Sequence, residues 1–197
     1  IIGSGGHTHS LICCFKNQYD FVGIYDNSFN RNKNEIISNV PLLGKIKDLP
    51  SNYETILSIG DNKKRADLYA SKKLNLSSAS LIHESCLIDP SSKLGNSNQL
   101  FPNVFINGEV VIGSNNIINS SCIIEHESKI GSNCSISIGA VIAGRVEIED
   151  FVFIGANATI IDKIKIVNNV IIGAGSVVVK DILEPGTYVG NPTKKIK

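Results

Sequence analysis

Aliphatic residues recur at every sixth position in the C-terminal part of the chain, without a slip from Ile82 to Val178. Four places after each of them stands a small or β-branched residue, as at Cys122 and Ala140. A period of six fits neither the repeat of a helix, about 3.6 residues, nor that of a strand, about two. It fits one flat face of a triangular solenoid, in which three faces close a coil of about eighteen residues. The pattern predicts a parallel β-solenoid with the aliphatic residues stacked inside.

Two features of this repeat concern its corners and its interior. Glycine often follows the aliphatic residue, as at Gly95 and Gly113, which predicts tight corners between the faces. Asn98 and Asn116 take the place of the small residue. We expect these two amides to form a ladder inside the solenoid.

Residues 1–80 follow another pattern, in which buried strands alternate with glycine turns and helices. The predicted elements are a strand stub at 1–2, a glycine turn at 3–7, a helix at 8–17, a strand at 21–26, a polar loop at 27–39 that leads to a Pro-bounded turn, a strand at 55–59 and a charged helix at 63–73. The order strand, turn, helix, strand is typical of a small parallel α/β unit.

Composition and charge narrow the class of protein. The chain has 197 residues and a formal net charge of +1, which argues against nucleic acid or an anionic membrane as the main partner. No stretch approaches the roughly 18–20 apolar residues of a membrane span. Because Met is absent, we expect the natural start to lie upstream of Ile1.

The five cysteines lack the paired spacing of a zinc site or a disulfide framework. They predict reduced thiols in a cytoplasmic protein without a metal. Cys86, Cys122 and Cys134 also fit small interior positions of the six-residue repeat.

The glycine turn is a candidate phosphate site. Gly5 and Gly6 lie between a predicted strand and a predicted helix, where backbone N–H groups and the helix dipole favour an anion. His7 could add a donor, and Asp26, at the end of the next strand, could accept hydrogen bonds from a ribose or base. The dinucleotide fingerprint is not met, because its third glycine would fall at Thr8. These residues favour a nucleotide ligand smaller than a dinucleotide. The alternative is a tight turn that binds no ligand.

The second candidate site is the sequence Glu125-His126-Glu127 within the repeat. The solenoid interior would reject three ionisable residues in a row, so they must project outward or lie on a corner. A carboxylate beside an imidazole can orient it and raise its basicity, which suits a general base. A solvated polar corner is the alternative. For His83, at the first coil, we expect a capping or surface role.

The whole chain resembles the bacterial sugar acetyltransferases of the sialic-acid O-acetyltransferase and bacillosamine-pathway N-acetyltransferase type. The motifs that carry the resemblance lie at 2–7, 24–26, 58–62, 81–83, 124–127, 137–140, 143–144 and 189–192. It implies an α/β Rossmann-like nucleotide-sugar-binding domain at 1–80. It also implies an all-β left-handed parallel β-helix of hexapeptide repeats at 81–197, which would be the acetyltransferase domain.

The resemblance also implies roles for individual residues. His126 would be the general base, tuned by Glu127, and the acceptor would attack the thioester of acetyl-CoA directly. Family members are homotrimers with acetyl-CoA in the groove between neighbouring β-helices, at positions that match Gly144, Ala156 and Ala174. The contacts to the nucleotide of the substrate match Gly5, Gly6, His7, Asp26 and Gly60. Asn119 would touch the sugar.

The chain departs from the family at two positions. Relatives often carry a histidine nine residues after the catalytic one, near the thioester carbonyl, where this chain has Ser135. Losing a donor to the developing oxyanion can lower a rate by about 10²–10³, so we expect Ser135 or a backbone N–H to replace it. Asn27 stands where relatives can have a second acid after Asp26, so the nucleobase that the chain recognises is left open.

The sequence thus favours an enzyme: an acetyl-CoA-dependent N-acetyltransferase of a nucleotide-linked amino sugar in surface-glycan biosynthesis. Two alternatives remain. The acceptor could be the hydroxyl of a sialic-acid-like sugar, or the protein could be a non-catalytic trimeric scaffold, a reading to which Ser135 lends weight.

Overall fold

The computed structural model describes residues 1–71 and 74–197. Contacts divide the chain into two compact units, Ile1–Ser78 and Ala79–Lys197. Each unit has its own hydrophobic core.

The first unit is a small α/β domain. Its elements are α1 Gly6–Phe15, β1 Ile24–Tyr25, β2 Ile36–Ile37, β3 Val40–Gly44, a short 3-10 helix Ile46–Asp48 and α2 Asn62–Tyr69. β1 and β3 pair in parallel and β2 joins β3 in the antiparallel sense. Ile2 forms parallel bridges to both Tyr25 and Leu57. The carboxyl ends of these three segments therefore lie side by side at one edge of the sheet. The predicted α/β class is confirmed.

Several boundaries in this unit differ from the prediction. The first helix begins at Gly6 and ends at Phe15 rather than spanning 8–17. The strand predicted at 55–59 is reduced to isolated bridges. The polar loop at 27–39 contains β2, because Ser38 and Asn39 adopt positive φ and form a two-residue turn into β3. The predicted end of the charged helix, at 72 and 73, lies outside the described residues.

The second unit is built from very short strands that recur six residues apart, each ending on its inward aliphatic residue. They are β4 Leu81–Ile82, β5 Leu87–Ile88, β6 Lys93–Leu94, β7 Gln99–Leu100, β8 Phe105–Ile106, β9 Val111–Ile112, β10 Ile117–Ile118, β11 Ile123–Ile124, β12 Lys129–Ile130, β13 Ser135–Ile136, β14 Val141–Ile142, β15 Glu147–Ile148, β16 Phe153–Ile154, β17 Thr159–Ile160, β18 Lys165–Ile166, β19 Val170–Ile172 and β20 Val177–Val178. Two further strands, β21 Gly186–Val189 and β22 Lys194–Lys195, close the unit.

Each strand pairs in parallel with the strand three further along the chain, and this pairing produces three flat faces. Face 1 contains β4, β7, β10, β13, β16 and β19, face 2 contains β5, β8, β11, β14, β17 and β20, and face 3 contains β6, β9, β12, β15 and β18. On face 1, Ile118 pairs with Leu100 in the preceding coil and with Ile136 in the next. The predicted left-handed parallel β-helix, with its six-residue register, is confirmed.

The corners show why the repeat needs few glycines for its backbone. From Leu94 to Ile172, a left-handed φ near 60° recurs at the third residue after each aliphatic residue, and non-glycine residues such as Asn115 and Asn133 adopt it. Gly113 lies earlier in its corner and serves a different purpose: a Cβ there would stand 2.7 Å from the carbonyl oxygen of Gly131 in the next coil. Glycine at this position therefore allows neighbouring coils to stack closely.

The predicted asparagine ladder is also present. The backbone N–H of Asn116 donates to Oδ1 of Asn98, and the N–H of Cys134 donates to Oδ1 of Asn116, at 2.9 and 2.7 Å. Both side chains are fully buried. Their amides replace apolar contacts with hydrogen bonds along one corner of the core.

Within the described residues, no helix has the length and apolar character needed to cross a membrane. The five cysteines all lie in the described residues and form no disulfide among themselves, and Cys122 and Cys134 are buried in the β-helix core.

Candidate active site

The corners of the β-helix define three edges that run along the stack. Edge 1–2 consists of the corners where the chain passes from face 1 to face 2. Edge 2–3 likewise joins face 2 to face 3, and edge 3–1 joins face 3 to face 1 of the next coil. Equivalent corner residues in successive coils are eighteen positions apart, as the bond from Ser114 to Ser132 illustrates. A residue's place in the repeat therefore determines which edge carries it.

His126 lies on edge 2–3, in the corner between β11 and β12. Its Nδ1 is 2.9 Å from Oε2 of Glu127, and the two side chains are 44% and 47% exposed. A carboxylate only accepts, so Nδ1 must carry the hydrogen of this bond. In the neutral ring this leaves the lone pair on Nε2. The corner therefore presents a proton acceptor at the surface of the β-helix.

Gly144 occupies the matching corner one coil further on and provides the seat for the imidazole. A Cβ at Gly144 would stand 2.7 Å from Nε2 and 2.8 Å from Cε1 of His126. Any larger residue would therefore push the ring from this position. The predicted cofactor residue Gly144 thus lies beside the predicted base.

The other predicted residues of the β-helix lie elsewhere on the prism. Asn119, Ala156 and Ala174 stand on edge 1–2, at the opposite end of face 2 from His126. The Oδ1 of Asn119 accepts from the N–H of Ser120 at 3.0 Å. Within one chain, the structure does not bring these three residues to His126.

Ser135 is the first residue of β13 on face 1 and is only 6% exposed. In a three-sided prism, face 1 is opposite edge 2–3. The separation of nine residues between His126 and Ser135 is half a coil, so the two side chains point in opposite directions. Any joint action requires a second copy of the chain.

The predicted substrate residues of the first unit line one cavity. It measures about 680 Å³ and includes Gly5, Gly6, His7, Asp26 and Gly60, a size typical of small-molecule sites. Among the described residues, no heavy atom outside the local chain lies within 4 Å of the Cβ position of any of these three glycines. The backbone there borders open space, and α1 begins at Gly6 without a side-chain cap.

Asp26 holds the glycine turn in place. Its Oδ2 accepts from the N–H of Ser4 at 2.9 Å and its Oδ1 from the N–H of Ser28 at 2.8 Å. Burial raises the pKa of Asp26, but the hydrogen bonds from Ser28 and Ser4 outweigh it and lower the pKa below its usual value. The carboxylate stays ionised and keeps lone pairs for a ligand.

The cavity wall at residues 59–61 is supported by Arg65, which the sequence did not predict. Arg65 is fully buried, and its guanidinium donates to the carbonyl of Ile59 at 3.0 Å and to Oδ1 of Asn62 at 2.9 Å. Asp61 caps α2 by accepting from the N–H of Lys64 at 2.8 Å. An arginine inside a charged helix gives no signal of burial, so only the fold reveals it.

A second cavity of about 490 Å³ lies beyond Asp26, between the segments that follow β1 and β3. Its lining residues are Ser28, Phe29, Asn30, Arg31, Lys45, Lys47 and Asp48. The hydroxyls of Ser4 and Ser28, 3.2 Å apart, stand between the two cavities. Over residues 1–71 and 74–197, no group of three or more His, Cys, Asp or Glu side chains could hold a metal ion.

Known proteins match both units. Residues 1–72 match the PglD N-terminal domain, and residues 127–162 match the bacterial transferase hexapeptide (six repeats). A solved structure of a mutant perosamine N-acetyltransferase from Caulobacter crescentus, in complex with CoA and GDP-perosamine, is 28% identical to this chain. That comparison covers 100% of this chain and 95% of the other, with a TM-score of 0.92.

These matches agree with the sugar acetyltransferase family that the sequence resembles. The chain is an acetyltransferase, as the sequence predicted. The acetyltransferase domain of PglB from Neisseria gonorrhoeae FA1090, in complex with acetyl coenzyme A, shares the fold at 23% identity, 99% and 97% coverage and a TM-score of 0.88. WeeI from Acinetobacter baumannii AYE does so at 19% identity with the same coverage and TM-score. No curated protein matches the chain.

The two domain matches lie at or beside the two candidate sites. The motif with His126 lies next to the hexapeptide match, and the glycine turn lies within the PglD match. The CoA named for the perosamine N-acetyltransferase structures agrees with the acetyl donor expected from the sequence.

Proposed function

We propose that this acetyltransferase transfers the acetyl group of acetyl-CoA to the amino group of a nucleotide-linked amino sugar. The observation that carries the proposal is the Glu127–His126 pair, whose second ring nitrogen lies over Gly144. The glycine-turn cavity of the first unit would hold the nucleotide. The identity with the perosamine N-acetyltransferase favours an amine acceptor.

In this mechanism His126 is the general base. Its Nε2 accepts the proton of the amine as the nitrogen forms a bond to the thioester carbon. Glu127 holds Nδ1–H and stabilises the imidazolium that forms. When the carbon–sulfur bond breaks, Nε2–H returns the proton to the CoA thiolate. The protein ends in its starting state, and the products are an amide and free CoA.

Acetyl-CoA supplies the acetyl group and the thiolate leaving group, and the small residues fit a groove for it. Gly144 adds no side chain beside the ring of His126, and Ala156 and Ala174 each present only a methyl group on edge 1–2. Because these positions lie on two different edges, one prism alone cannot supply both walls. Ser135, on the opposite face, would donate to the thioester carbonyl from a neighbour.

This distribution favours a homotrimer with the site between neighbours. Phe153 and Ile171 pair in register on face 1 and are 38% and 46% exposed, which suits a subunit interface. Light scattering after gel filtration should give three times the chain mass of 21.2 kDa. A monomer would contradict the shared site.

The nucleotide would lie along the carboxyl edge of the sheet and contact the turns that follow its strands. The phosphates would lie at Gly5 and Gly6, the ribose at Asp26 and the base in the neighbouring cavity. Asn119 would contact the sugar from edge 1–2. The substrates and free thiols favour the cytoplasm, and a nucleotide-linked product favours surface-glycan biosynthesis.

The test is thiol release from acetyl-CoA with a panel of acceptors. GDP- and UDP-linked amino sugars should support turnover, whereas the same nucleotide sugars with hydroxyl in place of the amine should not. Hydroxylamine cleaves acetyl esters under mild conditions and leaves amides intact, so the product must survive it. Turnover with free sialic acids and a hydroxylamine-sensitive product would favour the O-acetyltransferase. No thiol release with any acceptor, and no binding of CoA, would favour the scaffold.

A further inference from the structure

The charged residues next to Gly144 form a chain of contacts that ends at the proposed base. Arg145 follows Gly144 in the corner one coil beyond His126, and Asp162 occupies the corner one coil further on. The Nη1 of Arg145 is 3.7 Å from Oε2 of Glu127, and its Nη2 is 3.2 Å from Oδ1 of Asp162. Arg145 therefore joins the coil before it to the coil after it.

The backbone holds this arrangement in register. The N–H of Arg145 donates to the carbonyl of His126 at 2.9 Å, and that of Lys163 donates to the carbonyl of Gly144 at 2.9 Å. Glu127, Arg145 and Lys163 adopt left-handed φ values of 60°, 58° and 64°. Three equivalent corner positions thus stack with the charges −, + and +, and the carboxylate of Asp162 contacts both cations.

The Glu127 oxygen that contacts Arg145 is the same one that holds Nδ1 of His126. An exposed glutamate has several rotamers, and only some of them orient the imidazole. A cation fixed from the next coil restricts that choice.

We propose that Arg145, held by Asp162, is a positioning residue that keeps Glu127 against His126 in the reactive geometry. This role rests on the proposed function of His126 as the base. Arg145 touches neither the substrates nor the reacting atoms in this role, so it acts on the chemical step alone. Asp162 acts one contact further away and has a smaller effect.

The experiment compares Arg145→Gln, Arg145→Lys and Asp162→Asn in steady-state thiol release. We expect Arg145→Gln to lower kcat about two- to fivefold, in line with the coupling of an exposed ion pair, with the KM for acetyl-CoA unchanged. Arg145→Lys should recover most of the loss, and Asp162→Asn should lose less. Lys129→Gln is the matched control, because it breaks an exposed cross-coil ion pair with Glu147 on face 3 and should leave kcat unchanged.

A second background separates this inference from the proposed function. Adding Arg145→Gln to His126→Ala should cause no further loss, because the residue to be positioned is gone. If His126→Ala lowers kcat but Arg145→Gln does not, Arg145 has no positioning role and the inference is wrong. If Arg145→Gln raises the KM for acetyl-CoA instead, Arg145 contacts the donor, which also overturns it. An undiminished rate in His126→Ala would refute the proposed function itself.

Discussion

In the β-helix, every rung repeats one backbone geometry, whereas in the first unit almost every element has its own. The β-helix uses the repeat to bury a continuous aliphatic column, such as Ile118 between Leu100 and Ile136. The first unit uses a sheet of very short strands to bring turns together at one edge, where Asp26 and Gly60 line the same cavity.

The two units consequently place their polar residues differently. In the β-helix, chemistry appears where one corner departs from its neighbours, as at His126 over Gly144. In the first unit, it appears where the carboxyl ends of parallel strands meet. A regular scaffold makes the exceptional residue visible in the sequence, whereas an irregular one can hide a residue such as Arg65 until the chain folds.

The largest effect we expect on folding stability concerns the internal ladder of the β-helix. Asn116→Ala removes the acceptor of the Cys134 N–H and the donor to the Gly131 carbonyl. Leaving buried polar groups unpaired should lower the free energy of unfolding by about 2–4 kcal/mol, as chemical denaturation would measure. Asn168→Ala, at an exposed corner, is the control and should change it by less than about 0.5 kcal/mol. Equal stability of the two variants would show that the ladder is dispensable.

The next effect concerns the seat of the imidazole. Gly144→Ala places a Cβ against Nε2 of His126, so the ring must shift, and a misplaced catalytic group can cost about 10²-fold in rate. The measurement is kcat for thiol release, with CoA binding as the second readout. Gly108→Ala, at the equivalent corner position one coil before His126, is the control because its Cβ would be 3.4 Å from Ser91 Oγ, an ordinary contact. A fully active Gly144→Ala would remove the geometric basis of the site.

A smaller effect concerns the pH dependence of the free energy of unfolding of the first unit. Because the pKa of Asp26 is lowered from its ordinary value of 3.8 on folding, this carboxyl stabilises the unit above that value. The contribution is lost as pH falls through the lower folded pKa. The free energy of unfolding should therefore fall more in the wild type than in Asp26→Asn between about pH 5 and about pH 3, by less than about 1 kcal/mol because the group is partly exposed. Parallel curves would show that the bonds from Ser4 and Ser28 contribute nothing.

The smallest perturbation is chemical labelling of the thiols. Burial raises the pKa of Cys122 to about 12, so it should stay unreactive with iodoacetamide in the folded protein. The exposed Cys13 should react readily, and peptide mass spectrometry can score each site. Unfolding in guanidinium should remove the difference. Labelling of Cys122 before Cys13 would show that the β-helix opens more easily than the first unit.

How much the sequence revealed follows from the same contrast. The six-residue period predicted each inward position of the β-helix, because one geometry repeats and a slip would turn the aliphatic residues outward. It did not reveal that left-handed corners would accept residues such as Glu127. In the first unit the glycine turn was recognisable, but β3 was missed because Pro41 suggested a turn, although it lies in β3.

The candidate sites show the same division. Gly5, Gly6, His7 and Asp26 could be named from the predicted turn and strand, and Gly60 from the family resemblance, whereas buried Arg65 could not be named. In the β-helix, His126 stood out as an ionisable residue where the interior excludes charge. The contact between His126 and Gly144 depends on which corner of which coil each residue occupies.

The most direct test of the account is the rate of thiol release from His126→Ala with a nucleotide-linked amino sugar as acceptor. His83→Ala is the matched histidine control, since its Nδ1 contacts Ser85 at the first coil, on edge 1–2. We expect His126→Ala to lose about 10²–10⁴-fold in kcat while CoA binding and the oligomeric state stay as in the wild type, and His83→Ala to remain active. Turnover in His126→Ala within about twofold of the wild type would contradict the account.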